Sequence, residues 1–119
     1  MNRRFFALAK VFAVIALFAL GSAHAEEGMA AHYSDRFQGK PTANGEIFDQ
    51  EALTAAHKKL PFGTQVKVTN LKNNQSLVVK INDRMARRNR NIVDLTRRAA
   101  RELGFEKEGR VRVRLEPVE

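Results

Sequence analysis

Glu46, His57 and Asp83 are the side chains of this 119-residue chain best placed to do chemistry. Each sits in a short segment that brings it to a strand end or a turn. The segments are Thr42-Ala-Asn-Gly-Glu46, Thr54-Ala-Ala-His57 leading to Leu60-Pro-Phe-Gly-Thr64, and Val78-Val-Lys-Ile-Asn-Asp83-Arg84. Two carboxyl groups flanking a glycosidic bond can divide its cleavage between them. One protonates the leaving oxygen, and the other stabilises positive charge on the sugar ring or activates a nucleophile. A histidine beside them can orient a carboxylate or bind sugar hydroxyls. Glu46 follows a glycine, which permits a tight turn. Burial against Ile47 or Phe48 would raise its pKa and leave it a proton to give. Taken singly, each residue also has a plain structural explanation: an exposed loop glutamate, a histidine bonded to backbone, an aspartate capping the turn that starts at Arg84. His32, His57 and Asp83 lack the spacing of a zinc site. With no cysteine there is no thiol nucleophile, and no glycine-rich phosphate loop is present. Neither metal nor cofactor is expected.

The elements that must position these residues are mostly short strands. Gly28 to Tyr33 reads as a first strand, and Asp35 to Gly45, rich in turn formers, as a loop. Ile47–Asp49 and Leu53–His57 are short and ambiguous. Gln65 to Leu71 places Val66 and Val68 on one face. Lys72-Asn-Asn-Gln75 is a hairpin turn, since asparagine tolerates positive φ. Ser76 to Asp83 follows, with Leu77, Val79 and Ile81 on one face and Asp83 in phase with them. Thr96 is positioned to cap a helix ending at Gly104. Ala99, Ala100 and Leu103 form its inner stripe. Arg110 to Leu115 alternates arginine with Val111, Val113 and Leu115. Several short strands and one small helix predict a mainly β, barrel-like domain.

Residues 1–25 read as a cleaved secretory signal. Arg3, Arg4 and Lys10 precede the apolar run Val11–Leu20, and Ala23-His24-Ala25 is a small-x-small cleavage site. The run is short for a membrane span, which takes about 20 apolar residues. Residues 26–119 then form one domain, held together without disulfides. A soluble product with no lipid anchor is expected, in the periplasm or secreted. The full chain carries a formal charge of +8, part of it in the leader. The remaining basic residues cluster at Arg84 to Arg90 and at Arg97, Arg98 and Arg101. They form either an anion-binding patch or a solvated face. Export and the absence of aromatic–basic interleaving argue against a nucleic-acid partner.

Together these segments resemble the rare lipoprotein A family of bacterial envelope proteins. The likeness runs from about Gly28 to Gly104. It includes Tyr33, Phe37-Gln-Gly39-Lys, Thr42-Ala-Asn-Gly-Glu46, Ala52-Leu-Thr-Ala-Ala-His57, Leu60-Pro-Phe-Gly-Thr64, Val66-Lys-Val-Thr-Asn70, Ile81-Asn-Asp83-Arg84 and Ile92-Val-Asp94-Leu95. The resemblance implies a six-stranded double-psi β-barrel with a short helix. It implies a lyase, a lytic transglycosylase that cuts peptidoglycan between N-acetylmuramic acid and N-acetylglucosamine and leaves a 1,6-anhydromuramyl end. By the same likeness Glu46, Asp83 and His57 share the catalytic groove. Tyr33, Thr42, Asn82 and Arg84 are expected to contact the substrate, the glycan strand, and a monomer is expected. The division of labour between Glu46 and Asp83 stays open. The alternative is a non-catalytic, expansin-like protein that binds or loosens wall polysaccharide. The chain departs from the family pattern after Asn-Asp-Arg, where Met85-Ala-Arg87 replaces Gly-Pro-aromatic. It departs again at His32, where an aromatic residue is usual.

Overall fold

The computed structural model describes residues 25–118. The expected secretory signal lies outside the described residues, apart from Ala25. Six strands, β1 (Glu26–His32), β2 (Thr54–His57), β3 (Gln65–Asn70), β4 (Ser76–Arg84), β5 (Val93–Leu95) and β6 (Arg110–Pro117), close into a barrel in the order β1-β5-β2-β4-β3-β6. The expected barrel is present, with β1 beginning two residues earlier than the sequence pattern indicated. Closure leaves no free sheet edge, which suits a small domain with no disulfide. Two pairs, β1 with β5 and β2 with β4, run parallel, and the other four are antiparallel.

Alternation in sequence becomes alternation about the wall. Val66 and Val68 of β3, Val79 and Ile81 of β4, and Val111, Val113 and Leu115 of β6 all reach the core. The intervening arginines and lysines face outward. The β3–β4 hairpin turns through Lys72–Gln75, with Asn74 at φ 65°. Asn70, at the end of β3, is buried and donates to the Leu103 carbonyl at 2.8 Å, tying the hairpin to the following helix.

That helix, α1 (Arg97–Glu102), is capped by Thr96, whose Oγ1 accepts from the Ala99 N–H at 3.2 Å. It ends through Gly104, at φ 80°, with Phe105 N–H reaching the Ala100 carbonyl and Gly104 N–H the Arg101 carbonyl. This is the pairing that closes a helix on a left-handed residue. Ala99, Ala100, Leu103 and Phe105 fill one end of the barrel core. Arg97, Arg98 and Arg101 pair outward with Asp35, Glu102 and Glu51.

The segment between β1 and β2 runs over the outside of the barrel. A 3-10 turn at Asp35–Phe37 and a bridge between Pro41 and Ile47 shape it. Gln50 staples it down. Its amide donates to the Tyr33 carbonyl and to Asp35, both at 3.0 Å, and its carbonyl accepts the Arg97 N–H at 2.8 Å.

Candidate active site

The site is built on the outer face of four strands. Ala31 of β1 pairs with Asp94 of β5, Asp94 with Ala56 of β2, and Ala56 with Asp83 of β4. Their neighbours Ala30, Val93, Leu95, Ala55 and Ile81 lie in the core, so this row faces the other way. Two aspartates thus stand on one row, separated by alanine and by two strand spacings, roughly 10 Å of backbone.

Asp83 reaches that row through an irregularity. Between Ala55 and Ala56 the β2–β4 register jumps from Ile81 to Asp83, leaving Asn82 as an extra residue. A bulge of this kind shifts the phase of the residues beyond it. Asp83 is therefore not in phase with Leu77, Val79 and Ile81, as simple alternation predicted. Ile81 and Asn82 are consecutive buried positions, and Asp83 turns outward.

A groove of about 380 Å³ lies over Asp83, Asp94 and Ala56. Tyr33, Phe37 and Pro41 form one wall, and Arg84, Met85, Ala86 and Asn89 the other. Tyr33 packs on Phe48 at 4.3 Å between ring centroids and donates its hydroxyl to Asp83 Oδ2 at 2.6 Å. The other oxygen of Asp83 accepts the backbone N–H groups of Ala43 at 2.8 Å and Arg84 at 2.9 Å. Burial, then the hydrogen bond to Asp83 and the charges of Asp83 and Asp94, push the Tyr33 pKa well above that of a free phenol. The hydroxyl therefore stays a donor. Burial, and after it the negative charge of Asp83, also raise the Asp94 pKa. Arg84 donates to the His57 and Leu60 carbonyls at 3.0 and 2.8 Å and covers the Phe62 ring at 4.4 Å.

Glu46 sits on the turn that meets Asp83, but outside the groove lining. Gly45, at φ 93°, supplies the left-handed residue of the turn. Thr42 N–H donates to the Glu46 carbonyl at 2.7 Å, and Asn44 N–H anchors the turn on the Asn82 carbonyl at 3.2 Å. The Glu46 carboxylate accepts from Lys80 at 2.7 Å and from the Asn44 amide at 3.0 Å. Lys80 first, then Asn44 and Asn82, lower its pKa to about 2. The expected burial against Ile47 or Phe48 does not occur. Ile47 is exposed, and Phe48 turns inward beneath Tyr33. Glu46 is thus an exposed carboxylate rather than a retained acid.

The remaining expected site residues divide. Tyr33 and Arg84 line the groove. Thr42 and Asn82 are buried. Thr42 Oγ1 lies 2.8 Å from both Asn44 Oδ1 and the Glu46 carbonyl, inside the turn. Asn82 occupies the bulge, its Oδ1 without a partner. His57 is not brought into the groove. Its Nδ1 accepts the N–H groups of Lys59 and Leu60 at 3.0 Å, and its Nε2 lies 2.9 Å from Glu26. That arrangement puts the proton on Nε2. The ring opens instead onto a second cavity beside Lys58, Lys59 and Arg87. Its carbonyl, accepting from Arg84 and from Met85 N–H, is what His57 contributes to the groove wall. Among the described residues no group of three His, Cys, Asp or Glu side chains converges to hold a metal ion.

Asp94 is the site residue that the sequence reading passed over. Its signal was the lone acid in Val93-Asp94-Leu95, where buried apolar residues on either side turn the side chain to the outer face, half-buried.

Comparison with known proteins adds to this geometry. Residues 25–115 match the family model described as "Lytic transglycolase". The probable endolytic peptidoglycan transglycosylase RlpA of Synechocystis sp. is 52% identical over 77% of this chain and 29% of its own length. The endolytic peptidoglycan transglycosylase RlpA of Campylobacter jejuni is 47% identical over 77% of this chain and 34% of its own. The chain therefore spans only about a third of such relatives. Among solved structures, Streptomyces papain inhibitor superposes with a TM-score of 0.64 at 21% identity, covering 80% of this chain and 94% of its own. A Clavibacter michiganensis expansin variant solved with cellohexaose gives 0.62 at 20% identity, over 80% and 50%. At that identity these two share the fold alone. The family model and the curated relatives go further, and the chain belongs to the lytic transglycolase family of double-psi β-barrel proteins.

Proposed function

We propose that this domain is a lytic transglycosylase of the bacterial cell wall. It breaks the bond between N-acetylmuramic acid and N-acetylglucosamine and leaves a 1,6-anhydromuramyl end. The observation that carries this reading is the row of two aspartates under one groove, with different surroundings. Asp94 is half-buried, and partial burial with the charge of Asp83 raises its pKa, so it is the group better suited to hold a proton for the leaving oxygen. Asp83 accepts from Tyr33 and two backbone N–H groups, which aim its carboxylate. As the C1–O4 bond breaks, the Asp94 proton passes to the departing glucosamine O4. The muramyl 6-hydroxyl attacks C1 and its proton passes to Asp83, so no water is consumed. The Asp83 charge also stabilises the oxocarbenium-like state. Glu46, a carboxylate at the groove's edge, adds negative potential and holds the turn. His57 is a positioning residue, acting through its carbonyl on Arg84.

The family relationship supports peptidoglycan as the substrate class and an extracytoplasmic setting, and the leader-like N-terminal sequence supports the periplasm as our reading of the location. No helix among the described residues is long and apolar enough to cross a membrane. The test is digestion of purified peptidoglycan with residues 26–119, followed by mass spectrometry of the products. Anhydromuramyl ends are expected. Asp94→Asn and Asp83→Asn should each lower the rate by about 10²- to 10⁴-fold, the span of a general acid or base, with the thermal midpoint retained. Sedimentation with sacculi but no anhydro products would overturn the reading in favour of the expansin-like binder.

A further inference from the structure

We infer that Phe62, with Arg84 stacked on it, is a sugar-binding platform at the Asp83 end of the groove. It holds the N-acetylglucosamine that precedes the cleaved N-acetylmuramic acid in the glycan strand. This rests on the transglycosylase reading, which sets the direction of the strand.

A single exposed apolar side chain is ordinary on a protein surface. Phe62 is marked by its position. The acidic row crosses the wall from Asp94 of β5 through β2 to Asp83 of β4. In the barrel β3 comes next, and Phe62 lies just ahead of it in the chain. Gly63 N–H donates to the Ile81 carbonyl at 2.7 Å, and Ile81 N–H to the Thr64 carbonyl at 2.9 Å, so the approach to β3 runs alongside β4. Gln65 pairs with Lys80 in antiparallel register, which brings Phe62 level with Asn82 and Asp83. It stands one strand spacing beyond Asp83, roughly 5 Å of backbone. That is near the length of one sugar in a glycan.

The ring is both open and held. It is 44% exposed, the aromatic one among the large exposed apolar residues described. The Arg84 guanidinium covers it at 4.4 Å and is itself fixed, with Nη1 donating to the His57 and Leu60 carbonyls. Arg84 also lines the groove, so one side chain joins the two surfaces. A guanidinium carries five N–H donors. Among the described residues, only those on Nη1 meet a protein acceptor. The others are left for a hydroxyl or an acetamido carbonyl. The C–H face of a pyranose is apolar and lies flat on an aromatic ring. N-acetylglucosamine offers that face with an acetamido group beside it.

The direction follows from the chemistry. Asp94 gives its proton to the departing O4, and Asp83 takes that of the muramyl 6-hydroxyl. The muramyl ring thus lies toward Asp83, and the sugar attached to its own O4 lies beyond it, over Phe62. That sugar has a free 3-hydroxyl where a muramyl residue bears a lactyl ether, so nothing bulky lifts it off the ring.

The test compares two stem-free ligands. One is a tetrasaccharide of alternating N-acetylglucosamine and N-acetylmuramic acid that begins with the glucosamine. The other is the trisaccharide left when an exo-N-acetylglucosaminidase removes that first sugar. Binding to residues 26–119 is followed by NMR titration, with Asp94→Asn present so that neither ligand is consumed. The tetrasaccharide should bind about two- to tenfold more tightly, the span of one aromatic contact. Phe62→Ala and Phe62→Leu should each lose most of that margin while keeping trisaccharide binding and the thermal midpoint. Phe62→Tyr should retain it. Equal binding of the two ligands with Phe62 in place would overturn the inference. So would variants that weaken both ligands alike, since the ring would then only prop Arg84, or a Phe62→Leu variant that keeps the full margin. If the margin is present and depends on Phe62, but the unsubstituted domain forms no anhydro ends, the catalytic reading fails and the platform stands.

Discussion

The site divides protons by environment. Asp83 and Asp94 are the same residue type on the same row, yet it is Asp94 whose pKa is raised, by partial burial and then by the negative charge of Asp83. An acid held above its ordinary pKa has more of its protonated form near neutrality, so the rate should fall as pH rises through that value. Carboxyl-carbon NMR titration checks the cause directly. Asp94 should titrate above the ordinary aspartate value of 3.8. In Asp83→Asn it should move down, because the repelling charge is gone, but remain raised, because burial is the larger cause. An unmoved Asp94 would show that Asp83 does not act on it. Glu46 runs the other way. Its pKa of about 2 depends first on Lys80, so Lys80→Met should let it climb toward 4.5. The linkage sign follows: a lowered carboxylate stabilises the fold above its unfolded pKa and loses that contribution as pH falls toward about 2. The group is exposed, so solvent screening keeps the effect on stability small.

Each element holds the groove by a contact at its end. Thr96 shows this most clearly. It is fully buried, caps α1 by accepting from Ala99 N–H, and donates to the Ala52 carbonyl at 2.6 Å, joining the helix to the approach of β2. Thr96→Ala should cost about 1–2 kcal/mol by loss of the cap alone, and somewhat more because the Ala52 carbonyl loses its donor. Thr96→Ser keeps the hydroxyl and should recover most of it in chemical denaturation. The cap, the hairpin at Asn74 and the alternation of β3 and β6 were legible in sequence because each is a local relation between neighbours. The carboxylates Glu46 and Asp83 were legible as segments, though their surroundings were not. The bulge at Asn82 exists only against β2, whose partner residue lies 26 or more positions away in the chain. His57 turns toward Glu26, which is 31 residues distant. Asp94 meets Asp83 only across β2. Alternation within one strand carries none of these relations.

At the scale of the whole molecule, groove and barrel should melt as one unit. One closed wall surrounds one core, and the groove loop is fastened to that wall at several points. Tyr33 alone donates its N–H to the Leu95 carbonyl of β5 at 2.9 Å and its hydroxyl to Asp83 of β4. The chain has one tyrosine and no tryptophan, so tyrosine emission reports the groove alone, while far-ultraviolet dichroism reports the strands. A hydrogen-bonded carboxylate quenches tyrosine emission, so Tyr33 emission should rise when its bond to Asp83 is released. The two signals should follow a single transition in denaturant, as a cooperative small domain requires. Phe105 lies at the far side of this coupling, fully buried in the core and outside the groove lining. Phe105→Ala should remove about 3–5 kcal/mol, a large share of the roughly 5–15 kcal/mol typical of such a domain. It should shift both transitions by the same amount. If tyrosine emission instead rose well before the dichroism was lost, the loop carrying Tyr33 would be a separately melting lid. The orientation of Asp83 would then depend on substrate closing that lid, not on the barrel.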